Sequence, residues 1–263
     1  MIQTAIWFAL LAMQPLQRAA SQESQAARAA AQVDITGNWV ALVTEEWRWR
    51  MLTPPKGDYA NVPLNAEGLK LAIAWDLAKD NAAGEQCKAF GAGAIMRLPI
   101  RIRVNWFDDN TLKLETDSGQ QTRLFSFDKA KQPGRERTWQ GFTTAEWTRP
   151  VPPSQREVRG AIAPPPPPGA LKIVTRNLRP GYLRKNGVPY SENAIVTEYF
   201  DRVSGFGTDY LIVTTIVEDP TYLTGPFIVT SQFMRESDDS RFKPSPCKTD
   251  PPVRTKPPSP NGD

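Results

Sequence analysis

Few residues in this chain can do chemistry, and none of them is a histidine. That count removes Ser-His-Asp and Cys-His nucleophilic machinery. It also removes every zinc, copper or non-haem iron site that uses imidazole. Asp, Glu, Tyr, Lys and Cys remain as acids and bases. The densest polar run is Gly187-Val188-Pro189-Tyr190-Ser191-Glu192-Asn193, which leads into Thr197-Glu198-Tyr199. Gly187 and Pro189 shape a turn, and the strand beyond it projects Glu198 and Phe200 to one face. A Glu buried in an apolar barrel holds its proton more tightly and can act as acid or base. Glu198 with Tyr190 is therefore a candidate catalytic pair. The plainer reading is a hydrogen-bonded buttress that fixes the loop, or a Glu198 paired to Arg179 or Arg184.

A second constellation is Glu45-Glu46-Trp47-Arg48-Trp49-Arg50. Arginine beside aromatic rings binds anionic or planar ligands through cation–π and bidentate contacts. Alternating Glu and Arg on neighbouring strands also form surface cross-strand pairs. Trp47, Trp49, Arg48 and Arg50, together with Trp106, make the candidate ligand-binding set. The chain has 8 Trp, and those beyond the N-terminal run either pack core and rim or line a ligand cavity. A DxDxDG calcium loop, a P-loop and a dinucleotide-binding glycine fingerprint are all absent from the sequence. No cofactor or metal is expected.

The 2 cysteines, Cys87 and Cys247, lie far apart and outside any CxxC arrangement. In an oxidising compartment they pair and tie the tail to the body; a buried free Cys87 is the alternative. The apolar run at residues 5–13 (AIWFALLAM), followed by alanine pairs, has the form of a secretory h-region. It is shorter than the roughly 20 residues of a membrane-spanning helix. A periplasmic or secreted location is expected, with no membrane span. The formal charge is +4, from 32 basic and 28 acidic residues that are interspersed. Nucleic-acid binders concentrate positive charge on one face, so nucleic acid is not an expected partner.

These residues must be positioned by strands. Trp39 to Val43 reads as a first strand. Glu46 to Leu52 alternates strictly and predicts a second, with Trp47, Trp49 and Met51 on one side and Glu46, Arg48 and Arg50 on the other. Asn65 is an N-cap, and Leu69, Ala72 and Ile73 form a helical stripe. Asp80 to Phe90 holds a further helical turn, ended by Gly91 and Gly93. From Ile95 the period becomes two, with Ile100, Ile102, Val104 and Trp106 on one face. Strands follow at Leu112–Leu114, Thr122–Phe127 and residues 138–148, then Leu171–Thr175, Ala194–Val203, Tyr210–Glu218 and Phe227–Met234.

The spacing predicts a mainly β chain: an antiparallel curved sheet or lipocalin-like barrel of about 9–10 strands with one or two short helices, a β-sandwich being the alternative. Residues 1–32 read as signal peptide and linker, 33–235 as a single β domain, and 236–263 as a disordered Pro-rich tail. Pro164 to Pro168 centre a Pro-rich loop at 149–168, inserted into a hairpin and able to meet a protein partner.

The opening Gly37-Asn38-Trp39, the stretch from Cys87 to IMRLP at 95–99 and GFTTAEW at 141–147 come in a fixed order. After them come GALKIVT at 169–175, GVPYSENAIVTEYF at 187–200 and TIVEDPTYLTGPF at 215–227. This ordered set resembles an uncharacterised family of exported bacterial β proteins. The resemblance implies the fold more than an activity. The family commonly has Pro-His-Ser where this chain has Pro189-Tyr190-Ser191, and a tight turn where this chain has the polyproline insertion. Any role of the family's histidine is missing here.

Three functions fit these readings. The first is a module binding a small apolar or amphipathic ligand between Trp side chains. The second is a metal-free isomerase, cyclase or lyase using Glu198 and Tyr190. The third is an envelope protein that meets partners through its Pro-rich loop.

Overall fold

The computed structural model describes residues 26–148 and 169–253. The N-terminal apolar run and the Pro-rich loop at 149–168 lie outside the described residues, as does the end of the tail. Among the described residues there are eleven strands. They are β1 (Gly37–Leu42), β2 (Arg101–Asp108), β3 (Thr111–Thr116), β4 (Thr122–Ser126), β5 (Phe142–Trp147) and β6 (Leu171–Arg176), then β7 (Gly181–Arg184), β8 (Val188–Tyr190), β9 (Ile195–Gly205), β10 (Thr208–Glu218) and β11 (Phe227–Glu236). Nine of them close into a barrel in the order β1-β11-β10-β9-β6-β5-β4-β3-β2, because β1 pairs with both β11 and β2. Closure leaves this barrel with no edge strand among the described residues. β7 and β8 form a separate two-stranded hairpin.

Period-two alternation builds the barrel. On β9, Val196, Glu198 and Phe200 are buried while Thr197 and Tyr199 are less so. On β10, Leu211, Val213, Thr215 and Val217 face inward in the same way. Trp39 on β1 is fully buried, and its indole N–H donates to the Ile35 carbonyl at 3.0 Å. One pairing departs from the expected antiparallel meander: β4 and β5 run parallel at Phe125–Thr143 and Ser126–Thr144. The connection at 127–141 carries the chain back to the end where β4 began.

Helices cover part of the outside: α1 (Trp47–Arg50), α2 (Ala66–Ala74) and α3 (Leu77–Ala82), followed by 3-10 turns at Gln86–Phe90 and Ile95–Arg97. Among the described residues no helix is long and apolar enough to cross a membrane.

Four expectations are corrected. Glu46 to Leu52 is not a strand. Glu46 takes a left-handed φ of 52°, and one helical turn follows, with Arg50 N–H donating to the Glu46 carbonyl. Trp and Arg alternate here in kind but not in burial, since Arg50 is 2% exposed and Trp47 is 58% exposed. On α2 the Asn65 cap holds, accepting from Gly68 N–H at 2.9 Å, but the expected stripe does not. Leu69 and Ile73 face solvent while Gly68 and Ala72 are buried. The helix approaches so closely that a Cβ at Gly68 would overlap the Tyr222 carbonyl.

The described part of the tail, finally, packs on the body. Ser245 bridges Ser118, Val253 N–H donates to the Thr53 carbonyl, and a Cys87–Cys247 disulfide fixes the segment with 5.2 Å between Cα atoms. Its prolines stop it forming regular strands, but backbone bonds to the body still hold it. The linker reading is corrected in the same way at its C-terminal end. Ala27 is buried, its N–H donates to Asn110 and its carbonyl accepts from the Trp147 indole.

Candidate functional site

Glu198 on β9 and Arg123 on β4 point into the lumen from strands on different sides of the barrel, and both side chains are fully buried. The guanidinium meets the carboxylate as a fork, Nη2 to Oε2 at 2.5 Å and Nη1 to Oε1 at 3.2 Å. Thr215 donates to Glu198 Oε1 at 3.5 Å, and Arg123 Nη2 donates to Thr175, which shares a 2.8 Å bond with Thr143. This is a polar layer across the barrel, with the charges matched and most lone pairs used. Directly beside it the Phe125 and Phe200 rings meet at 5.7 Å. At these two levels side chains occupy the lumen.

Tyr190 on β8 is buried in a second apolar cluster with Ala92, Leu183 and the inward-facing Val196 and Val217. A Cβ at Gly91 or Gly181 would overlap its phenol oxygen, so two glycines make the room it occupies. Burial pushes this phenol well above the usual tyrosine range, which keeps it protonated. Its O–H has no hydrogen-bond partner among the described residues. The oxygens of Glu198 are taken up by Arg123 and Thr215, and no hydrogen bond joins Glu198 to Tyr190. Glu198 is paired, as the plainer sequence reading holds, but to Arg123 rather than Arg179 or Arg184. Arg179 instead bonds Glu85.

The ligand-binding set is split between the two ends of β1. Trp106 lies near the Gly37 end, where β2 runs beside β1, and packs with Phe127 and Trp147. A cleft of about 270 Å³ lies there, lined by Arg28, Val33, Ile35, Trp106, Leu112 and Trp147 among others. The Trp47–Arg50 turn lies at the Leu42 end, where Arg50 Nη1 reaches the Leu42 carbonyl at 3.4 Å. Trp49 there is sandwiched by cations: the Arg48 guanidinium is 4.3 Å from its ring centre and that of Arg184 is 4.5 Å away. Trp106 and the Trp47–Arg50 turn therefore form no common cavity.

A larger cleft, of about 310 Å³, opens on the outside between α2–α3 and the β7–β8 hairpin. Trp75, Tyr182, Tyr222, Leu71 and Pro189 supply its walls. Asp80 organises its polar side. It accepts from the Tyr182 phenol at 2.8 Å, from the Trp75 indole at 3.1 Å and from Lys88 at 2.9 Å. Burial, and then the carboxylate bond, push the Tyr182 phenol far above its ordinary range. Gly187 has a φ of +82°, and a Cβ there would overlap the Trp75 ring, so this glycine lets the hairpin approach the end of α2 closely.

The sequence reading missed this cleft because its walls come from three separate segments. Its one local signal was the Gly187-Val188-Pro189 turn. Among the described residues no group of His, Cys, Asp and Glu is arranged to hold a metal ion. No protein-family model, no curated protein and no solved structure matches the chain.

Proposed function

We propose that this chain is an exported small-ligand-binding module, and that its ligand is amphipathic and sits in the side cleft rather than in the barrel lumen. The observation that carries this reading is the cleft itself: aromatic walls of Trp75, Tyr182 and Tyr222 around one organised carboxylate, in about 310 Å³. Small-ligand sites commonly have about 300–1,000 Å³ and mostly apolar walls with a few fixed polar groups. The lumen is a poorer host, since Arg123–Glu198 and Phe125–Phe200 bridge it. The disulfide supports export, because such bonds persist in oxidising compartments. The resemblance to exported bacterial β proteins points the same way. A proton-transfer role for Glu198 with Tyr190 gains no support from a carboxylate locked to arginine and a phenol without a hydrogen-bond partner among the described residues.

The test is a titration with the neutral fluorescent probe N-phenyl-1-naphthylamine. Leu71 borders the cleft and is 43% exposed, so Leu71→Asp leaves the core intact. Wild type should bind saturably, and Leu71→Asp should weaken binding by roughly tenfold or more, since desolvating a carboxylate against an apolar ligand costs over about 1.4 kcal/mol. Leu124→Asp, on the outer face of β4, should change nothing. Equal affinity of Leu71→Asp and wild type, or no saturable binding at all, would remove the cleft from consideration.

A further inference from the structure

Four arginines gather where the Trp47–Arg50 turn meets the β7–β8 hairpin: Arg48, Arg50, Arg97 and Arg184. Three of them have a carboxylate. Arg97 Nη2 meets Glu46 Oε2 at 2.5 Å, Arg48 meets Asp58 at 3.4 Å, and Arg50 lies 3.8 Å from Glu45. Arg184 has none. Its side chain is 2% exposed, and Nε, Nη1 and Nη2 all lack a hydrogen-bond partner among the described residues. Its guanidinium lies near two rings, those of Trp49 at 4.5 Å and Phe227 at 5.9 Å. Other unsatisfied polar atoms come from the same segments: Arg50 Nη2, the Trp49 indole nitrogen and the Thr53 hydroxyl.

A buried guanidinium without an anion is among the costliest arrangements a fold can keep. Surrounding charge does not relieve it. Burial and the neighbouring Arg97 bring the Arg184 guanidinium down to about 10, with Glu46 and Asp58 opposing. Even so, it stays charged at neutral pH. Arg50 is likewise lowered by burial and by Arg97.

We infer that this cluster is a binding site for a small oxyanion, a carboxylate or phosphate group, with Arg184 as the fork that receives it. The chemistry matches on each side. A guanidinium presents paired N–H groups to two oxygens of such an anion. Arg50 Nη2, the Trp49 N–H and the Thr53 hydroxyl are further donors. One bound negative charge would give the fourth arginine its counter-ion. The Trp47–Arg50 turn covers the site and begins at Glu46, a non-glycine residue held at a left-handed φ of 52°. Such a residue marks where the cover is joined to β1 under strain. None of these residues lines the side cleft, so the two sites can fail separately.

The experiment is thermal unfolding of the full chain in a buffer free of oxyanions, with phosphate, acetate or chloride added at matched ionic strength. At 100 times its dissociation constant a specific oxyanion should raise Tm by roughly 5–10 °C, and chloride should not. Phosphate acting alone, or acetate acting alone, identifies which oxyanion the fork takes. Arg184→Met should raise Tm in oxyanion-free buffer and abolish the oxyanion-dependent rise. If Arg184→Met does not fold, calorimetric titration of wild type with phosphate and acetate decides: one site per chain supports the inference and no heat overturns it. It is also overturned if chloride stabilises as well as the oxyanions do, or if Arg184→Met keeps the full oxyanion response.

Discussion

The Arg123–Glu198 fork makes a quantitative demand at the scale of single residues. Both side chains are fully buried, so removing one charge strands the other in a medium that cannot solvate it. Glu198→Gln should therefore destabilise by about 3–5 kcal/mol in urea unfolding. The double change Arg123→Met with Glu198→Met should recover most of that loss, because the Phe125–Phe200 layer beside it is apolar. A Glu198→Gln protein of wild-type stability would mean the pair is not closed off from water. The inward phase of Arg123 and Glu198 was legible in the sequence, since each is followed two residues later by a phenylalanine on the same face. Their partnership was not, because β4 and β9 are far apart in the chain and meet only through barrel closure.

Strands and helices differed in how well their sequences declared them. The barrel strands could be read because most have one buried and one wetter face, so burial and residue type alternate together. In the Trp47–Arg50 turn residue type alternates while burial does not, and the period-two reading fails. On α2 the buried positions are Gly68 and Ala72, and its large apolar residues face outward, so size was a misleading guide. The β7–β8 hairpin went unread because Val188, Pro189 and Tyr190 are all buried and give no alternation.

This hairpin makes its own prediction. Gly187→Ala meets both an unfavourable φ of +82° and the Trp75 ring, whereas Gly84→Ala meets a φ of +72° and open space. Gly84→Ala should cost roughly 1 kcal/mol, and Gly187→Ala that amount plus about 1–3 kcal/mol for overpacking. Gly187→Ala should also weaken probe binding in the cleft, while Gly84→Ala should not. Equal stabilities in chemical unfolding would show that Trp75 yields freely.

Across the whole molecule the C-terminal segment acts as a strap. It runs from β11 past Ser118 and Thr53, and the Cys87–Cys247 bond closes a loop of 160 residues. Replacing both cysteines with serine should cost about 2–4 kcal/mol. The freed strap should be cut by trypsin at Arg241 or Lys248 faster than in the oxidised protein, while the barrel survives. Identical cleavage rates would show that backbone bonds alone hold the strap. The fold is thus a barrel closed by β1, stiffened inside by one ion pair and dressed outside by helices, a hairpin and a tail. Its recognition surfaces are built from that outer layer, where sequence periodicity says least.

The most direct test of this arrangement is a crystal structure of the full chain with N-phenyl-1-naphthylamine bound. The account predicts ligand density between Trp75, Tyr182 and Tyr222, with Arg123–Glu198 undisturbed. Density inside the barrel, parting Phe125 from Phe200, would contradict it.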